Sequence, residues 1–380
     1  MRLPWPAAFT PLVLVLMTFS RSATATPRVD SRRAWMPLPV PGLRDARSTR
    51  RSDGDRQVTR RTIVSTRLTS RWTVGGDAND TTILLPLQIR ATRDHFVVYD
   101  GVAQRLLALE PTTGRVVWRF GRPGRGPGEF GGVAKLTSRK SGGTFVVDFA
   151  LSRLTEITED GKEGPRVDYR MGVNPRGVCE AGDTHIRLRS TESEEIERLQ
   201  LPTGVSSTED LPWPELRALP SLVRQSMIFE HPQAEVCMIS VSFGPMFALL
   251  DRTGVRARAR WIEEIPMGQA KSMGKGSWRM LPSTQGALSA TAVGSSFAVL
   301  FEGRSQKRGR FVDFYAVTDA SYLFSIELPF AATKIAFGHG LLALAGETEE
   351  GAPFVRAFSV SPSLEGLVAK AMATPRRTTP

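Results

Sequence analysis

Cysteine and histidine are scarce. The 380 residues contain 2 Cys and 4 His, which excludes a cysteine-rich zinc module and a disulfide-dense small fold. Lysine is rare too, with 8 Lys against 42 Arg, a bias that points to a GC-rich genome rather than to a function. No Gly-x-Ser-x-Gly elbow is present to anchor a serine triad, and no strand–GxxxxGK–helix unit to cradle a phosphate. No apolar run reaches the roughly 20 residues that span a bilayer. What is abundant is turn chemistry: 34 Gly and 26 Pro, alongside 41% hydrophobic and 23% charged residues. That balance allows a globular core and argues against both a mostly helical protein and wholesale disorder.

The amino terminus has the pattern of an export signal. Arg2 supplies a positive start, Ala7 to Phe19 is mostly apolar, and Ala23-Thr24-Ala25 fits the small-x-small rule for cleavage ahead of Thr26. The run is too short for a membrane anchor and contains Pro11. No Cys lies near it, so it carries no lipid anchor. Residues 1–25 are therefore expected to be a signal peptide, and the mature chain to be secreted or periplasmic.

The net charge of +12 is concentrated near this end. Residues 28–71 hold twelve Arg and four Asp, while residues 72–380 carry only +2. An arginine-rich run can bind nucleic acid by counterion release. Between Arg44 and Arg61, however, there is no aromatic residue to stack on a base. The expectation is a solvated, disordered basic linker over residues 26–61, with no nucleic-acid partner.

Beyond the linker the chain repeats. Short runs of Val, Ile, Leu and Phe alternate with Gly, Asp, Thr and Pro turns. Second strands are expected to start near His95, Thr144, His185, Val236, Phe297 and Leu341, at spacings of about 49, 41, 51, 61 and 44 residues. The clearest unit is Phe96 to Asp100, Arg105 to Glu110, the turn Pro111-Thr112-Thr113-Gly114, and Val116 to Phe120. The longest interval holds an insertion, Glu263 to Ser283, with Trp278 and several basic residues. Six units with a period in the forties imply an all-β, six-bladed β-propeller over residues 62–369, with four-stranded antiparallel blades. Thr62 to Val74 is expected to be the outer strand of the last blade, removing a free sheet edge. Residues 370–380 are expected to be a disordered tail. A two-domain protein of β-sandwiches is the alternative.

Phe120-Gly-Arg-Pro-Gly-Arg-Gly-Pro-Gly-Glu-Phe130 resembles the junction of NHL-type bacterial six-bladed propellers. In that family it links the outer strand of one blade to the inner strand of the next. Gly121, Gly124, Gly126 and Gly128 allow positive φ, Pro123 and Pro127 stiffen the loop, and Phe130, after Glu129, can wedge between blades. The motif occurs once; the family's proline after the Phe is replaced by Gly131-Gly132-Val133-Ala134. A second segment, Leu107 to Trp118, is similar to the repeat of quinoprotein propellers, in which a Gly and a Trp dock neighbouring blades. That repeat also occurs once, so Gly114 and Trp118 are read as a turn and an interblade contact rather than as signs of a quinone cofactor.

Asp100 and Asp148 end matching strands. A carboxylate there can accept backbone N–H bonds from the following turn; the alternative is calcium, which wants six to eight oxygens. His95, His185, His231 and His339 fall in different units, so a zinc site shared between blades is a second alternative, as in amidating lyases with a related propeller. Cys179 and Cys237 lie in adjacent units and pair only if their Cα atoms come within about 7 Å. Leu211 to Phe229 is the one helical candidate; its Trp213, Leu216, Leu219 and Phe229 either face a partner or cover a blade edge. Arg122, Arg125, Trp213 and Trp278 are the candidate ligand-binding residues. The function expected is a non-enzymatic, monomeric scaffold for a protein, peptide or glycan, with no cofactor and no metal. The alternative is a Ca- or Zn-dependent lyase or hydrolase with its site at the propeller channel.

Overall fold

A computed structural model describes residues 61–169, 175–180, 185–190, 195–201, 203–303 and 307–374. The expected signal peptide, the linker up to residue 60 and the last six residues lie outside that set. Six four-stranded antiparallel sheets form the blades of a propeller. Blade 1 contains β2 (Pro86–Ala91), β3 (Phe96–Asp100), β4 (Arg105–Leu109) and β5 (Val116–Phe120). Blade 2 contains β6 (Val133–Ser138), β7 (Thr144–Asp148), β8 (Arg153–Ile157) and β9 (Glu163–Asp168). Blade 3 contains β10 (Pro175–Glu180), β11 (His185–Ser190), β12 (Glu195–Gln200) and β13 (Ser206–Asp210). Blade 4 contains β14 (Ser226–His231), β15 (Val236–Val241), β16 (Met246–Asp251) and β17 (Gly254–Arg260). A separate hairpin, β18 (Ala270–Gly274) and β19 (Ser277–Met280), precedes blade 5, which contains β20 (Ala287–Val293), β21 (Ser296–Phe301), β22 (Phe311–Ala316) and β23 (Tyr322–Glu327). Blade 6 contains β24 (Lys334–Gly338), β25 (Leu341–Glu347), β26 (Pro353–Ser361) and, as its outer strand, β1 (Arg67–Gly75).

The second strand of every blade falls where its apolar run predicts. The reason is burial on both faces: β3, β7, β15 and β21 are buried at every position. A blade is covered by two neighbours, so its middle strands read as continuous apolar runs, while the outer strand β5 alternates. β1 pairs antiparallel with β26, from Arg67 opposite Ser361 to Gly75 opposite Phe354, with a slip between Ser70 and Trp72.

Two expected boundaries move. Arg61 belongs to the ring: its guanidinium reaches Asp313 at 2.8 Å and Glu263 at 2.6 Å, and stacks over Phe301 and Phe311. Burial pulls its pKa down, but Asp313 and Glu263 outweigh that and hold it above its ordinary value. At the other end, helix α1 (Leu364–Ala373) is capped by Ser363 and buries Leu364 and Val368, so the expected boundary at residue 369 falls inside a helix.

Blades dock by a repeated device. The Trp72 indole donates to the Pro111 carbonyl at 2.7 Å and lies against Gly114, where an added Cβ would meet the ring at 2.7 Å. One blade on, the Trp118 indole donates to Glu159 O at 2.8 Å and lies against Gly161 at the same 2.7 Å. Cys179 on β10 and Cys237 on β15 form a disulfide between blades 3 and 4, with Cα atoms 5.9 Å apart.

Candidate functional site

Strand direction sorts the loops onto two faces. In each blade the first strand enters from one face, and the turn between the second and third strands returns to it, as do the connections between blades. Arg122, Arg125 and Trp278 all lie on such connections, so the structure brings them to one face.

On this face Phe120 to Phe130 folds as a self-contained loop. Gly121 has φ 98° and an added Cβ there would lie 2.3 Å from the Phe130 ring, so only glycine fits. Gly128 also has positive φ, whereas Gly126 does not. The Phe130 N–H donates to Arg122 O at 2.8 Å and the Gly124 N–H to Phe130 O at 3.0 Å. Glu129 accepts from the Gly126 N–H at 2.7 Å and from Arg122 Nε at 2.9 Å. Those bonds hold its carboxyl below the ordinary range, the Gly126 amide contributing most. Phe130 is buried among Val97, Tyr99 and Leu106 of blade 1 and Leu136 and Val146 of blade 2, the wedge that the motif implies.

Asp100 and Asp148 serve the same face structurally. Asp100 accepts N–H bonds from Leu84, Leu85, Val102 and Ala103. Asp148 accepts them from Gly131, Gly132 and Leu151. Each carboxylate thus ties a turn to the connection entering its blade. What they present to solvent is apolar: Leu84, Leu85 and Leu87 are each close to 40% exposed, and Val102 and Phe149 are 58% and 43% exposed. Leu85 and Leu87 pack beside Gly101, next to Val102. Sequence reasoning missed this patch, because Ile83-Leu84-Leu85 reads as the start of a strand core. The exposed Arg122 and Arg125 lie on the connection between blades 1 and 2, between Val102 and Phe149 in sequence.

The insertion between blades 4 and 5 projects from the same face. Met273 and Trp278 are 57% and 44% exposed, and Pro266, Met267, Leu281 and Pro282 help line a pocket of about 440 Å³ at the hairpin base. Trp213 behaves differently from expectation. The chain forms one 3-10 turn over Pro214–Ala218, and Trp213, at its start, is 4% exposed among Leu211, Leu216 and Ile228. Phe229 is buried in β14. These residues cover a blade.

The channel is bridged by charge. Arg90 on β2 and Glu230 on β14, from opposite blades, meet at 2.7 Å with side chains 7% and 6% exposed. Burial pushes the Glu230 carboxyl up and the Lys334 ammonium, on β24, down. On the opposite face, His95, Trp118 and Glu159 line a pocket of about 410 Å³. Glu159 is occupied there by the Gly143 and Arg93 amides and the Thr92 hydroxyl, at 2.7, 2.9 and 2.8 Å. His231 is held between Gly294 O and the Ala234 N–H, and His339 sits edge-on to Phe96. Among the described residues no three His, Cys, Asp or Glu come together to hold a metal.

No family model matches the chain, and no curated protein matches it. Solved structures do. A Bacteroides fragilis protein named as exported is 10% identical, with a TM-score of 0.51 over 78% of this chain and 94% of that one. A member of the DUF4221 family from Bacteroides vulgatus is 10% identical, with a TM-score of 0.46 over 78% and 98%. Virginiamycin B lyase from Staphylococcus aureus is 11% identical, with a TM-score of 0.43 over 70% and 78%. At these identities the similarity is one of fold alone: the chain is a six-bladed β-propeller similar in fold to the Bacteroides fragilis protein.

Proposed function

We propose that the chain is an exported, monomeric, non-enzymatic scaffold that holds a partner protein on the face built from its interblade connections. The observation that carries this reading is the exposed set Leu84, Leu85, Leu87, Val102 and Phe149 on adjacent blades 1 and 2. Apolar side chains gathered on one face of a soluble ring mark an interaction surface. Arg122, exposed although paired with Glu129, and the exposed Arg125 favour a segment that presents apolar side chains beside carboxylates. The signal-like Ala7 to Phe19 run and the Cys179–Cys237 disulfide both suit an oxidising compartment outside the cytoplasm. Among the described residues no helix is long and apolar enough to cross a membrane. The Phe120–Phe130 loop supports an NHL-type junction between blades 1 and 2.

A photo-crosslinking amino acid placed at Val102 in the native cell tests the reading. It should yield one dominant adduct, lost when Leu85→Asp and Phe149→Asp are combined. The same probe at Val117, on the outer strand of blade 1, should not give it. An adduct that survives the double substitution, or appears equally from Val117, would overturn the proposal.

A further inference from the structure

The Cys179–Cys237 disulfide between blades 3 and 4 has a cation beside it. Arg187 on β11 stands directly opposite Cys179 in the ladder, so both side chains face blade 4. The Arg187 side chain is completely buried. Two of its nitrogens are well used. Nε and Nη2 donate to Glu209 at 2.9 and 3.3 Å, and Nη2 also donates to the Asp251 carbonyl at 2.7 Å. Nη1 is not: its one acceptor among the described residues is Cys237 Sγ, at 3.9 Å. A disulfide sulfur accepts weakly, and a buried charged donor left with a weak partner is costly. The arrangement suits another state of the same sulfur. A Cys237 thiolate would accept a charge-assisted hydrogen bond from Nη1, and a neighbouring arginine favours the thiolate. The other charges around the bond are paired: Glu230, opposite Cys237 in its ladder, with Arg90, and Glu180, next to Cys179, with Arg139.

We propose that the joint between blades 3 and 4 is a redox switch, locked by the disulfide and released by a dithiol that leaves Cys237 as a thiolate on Arg187. The inference is independent of the apolar patch on blades 1 and 2. One thiolate of the dithiol attacks Cys179 Sγ, and the bond to Cys237 breaks with its electron pair on Cys237. The second thiol of the reductant then attacks the first in the mixed disulfide, and Cys179 leaves and takes up a proton. The dithiol is oxidised by two electrons; one of its protons ends on Cys179 and the other in solvent. Arg187 makes Cys237 the better leaving group. Both sulfurs are buried, so the exchange passes through local opening of the joint.

Equilibration of the purified protein with mixtures of reduced and oxidised dithiothreitol, read by mass after alkylation, tests it. Arg187→Met should shift the equilibrium toward the disulfide by about tenfold or more, the low end for a hydrogen bond to a charged group. Arg187→Lys should lie between the two. A purely structural arginine predicts the reverse sign, because a loosened joint is easier to reduce. A second measurement leaves Arg187 in place. In Cys179→Ser, where Cys237 is the one thiol, thiolate absorbance should appear at lower pH than in Cys237→Ser. Amide exchange in β10 and β14 should quicken when the native protein is reduced. The inference fails if Arg187→Met leaves the equilibrium unmoved or moves it toward the thiols. It fails equally if Cys179 ionises with Cys237 or before it, or if reduction leaves exchange at the joint unchanged.

Discussion

Two sectors of the ring join neighbouring blades by different means. From blade 6 through blade 2 the joint is a tryptophan laid on a glycine, Trp72 on Gly114 and Trp118 on Gly161, each fixed by one indole-to-carbonyl bond. One step further the socket persists as Gly204, at φ 73°, but its plug has shrunk to Val167, whose Cγ1 would lie 3.3 Å from an added Cβ. Between blades 3 and 4 the disulfide appears, and the glycine of the corresponding turn, Gly254, has no neighbour within 4 Å. Between blades 4 and 5 the turn carries Ala320, at φ 62°, and Arg256 reaches the Val317 carbonyl. The lesson is substitution of mechanism: from blade 3 onward, where no side chain plugs the socket, a covalent or polar link appears at the corresponding interface.

The largest effect should come from breaking the covalent link. Closing a loop of 58 residues removes entropy from the unfolded chain corresponding to about 4 kcal/mol. Replacing Cys179 and Cys237 by Ser should lower stability by about that much in denaturant titrations. Faster amide exchange should be concentrated in β10 and β14, leaving β1 and β5 protected. Equal loosening around the ring would show that the disulfide is not local to its joint.

How much of this could be read beforehand depended on what each feature needs. The six second strands were legible because burial on both faces writes a continuous apolar run into the chain. The Phe130 wedge was legible because Gly121 cannot be anything else under that ring. The disulfide was not, since pairing needs a distance between blades that spacing alone leaves open. The apolar patch was hidden for the opposite reason: Leu84 and Leu85 carry the letters of a core and lie at its edge, held there by Asp100. Trp213 shows the reverse error, where a Pro-rich connection suggests exposure and a single 3-10 turn buries the ring.

A smaller effect sharpens the aromatic joint. Gly114, Gly204 and Gly276 have nearly the same φ, 74°, 73° and 76°, but very different surroundings. Alanine at Gly276 should cost only the left-handed backbone, about 1 kcal/mol. At Gly204 it meets Val167 and the Asp168 carbonyl at 3.3 Å and should cost somewhat more. At Gly114 it collides with the Trp72 ring at 2.7 Å, so about 2–3 kcal/mol is expected once strain and lost packing add. Unfolding midpoints of the three variants should follow that order. A flat series would mean that the indole yields and the socket is not specific.

The smallest expected effect concerns a polar contact between blades 4 and 5. His231 spans that joint: Nε2 lies 3.0 Å from Gly294 O, the Ala234 N–H approaches Nδ1, and the ring stands edge-on to Phe297. With Nδ1 accepting, Nε2 carries the proton and the ring is neutral. Burial pulls its pKa below the ordinary 6.5, outweighing the Gly294 carbonyl. The native state therefore refuses a proton that the unfolded chain accepts. The stabilisation is complete above the unfolded value and is lost as pH falls from about 6.5 toward the lowered folded value. The loss should approach at most about 1.4 kcal/mol per pH unit within that window. Thermal midpoints between pH 7.5 and 5.5 should fall more steeply for the native protein than for His231→Gln, which keeps a donor but cannot charge. Equal slopes would place the pH sensitivity elsewhere and leave the joint between blades 4 and 5 resting on Arg256 and its apolar neighbours.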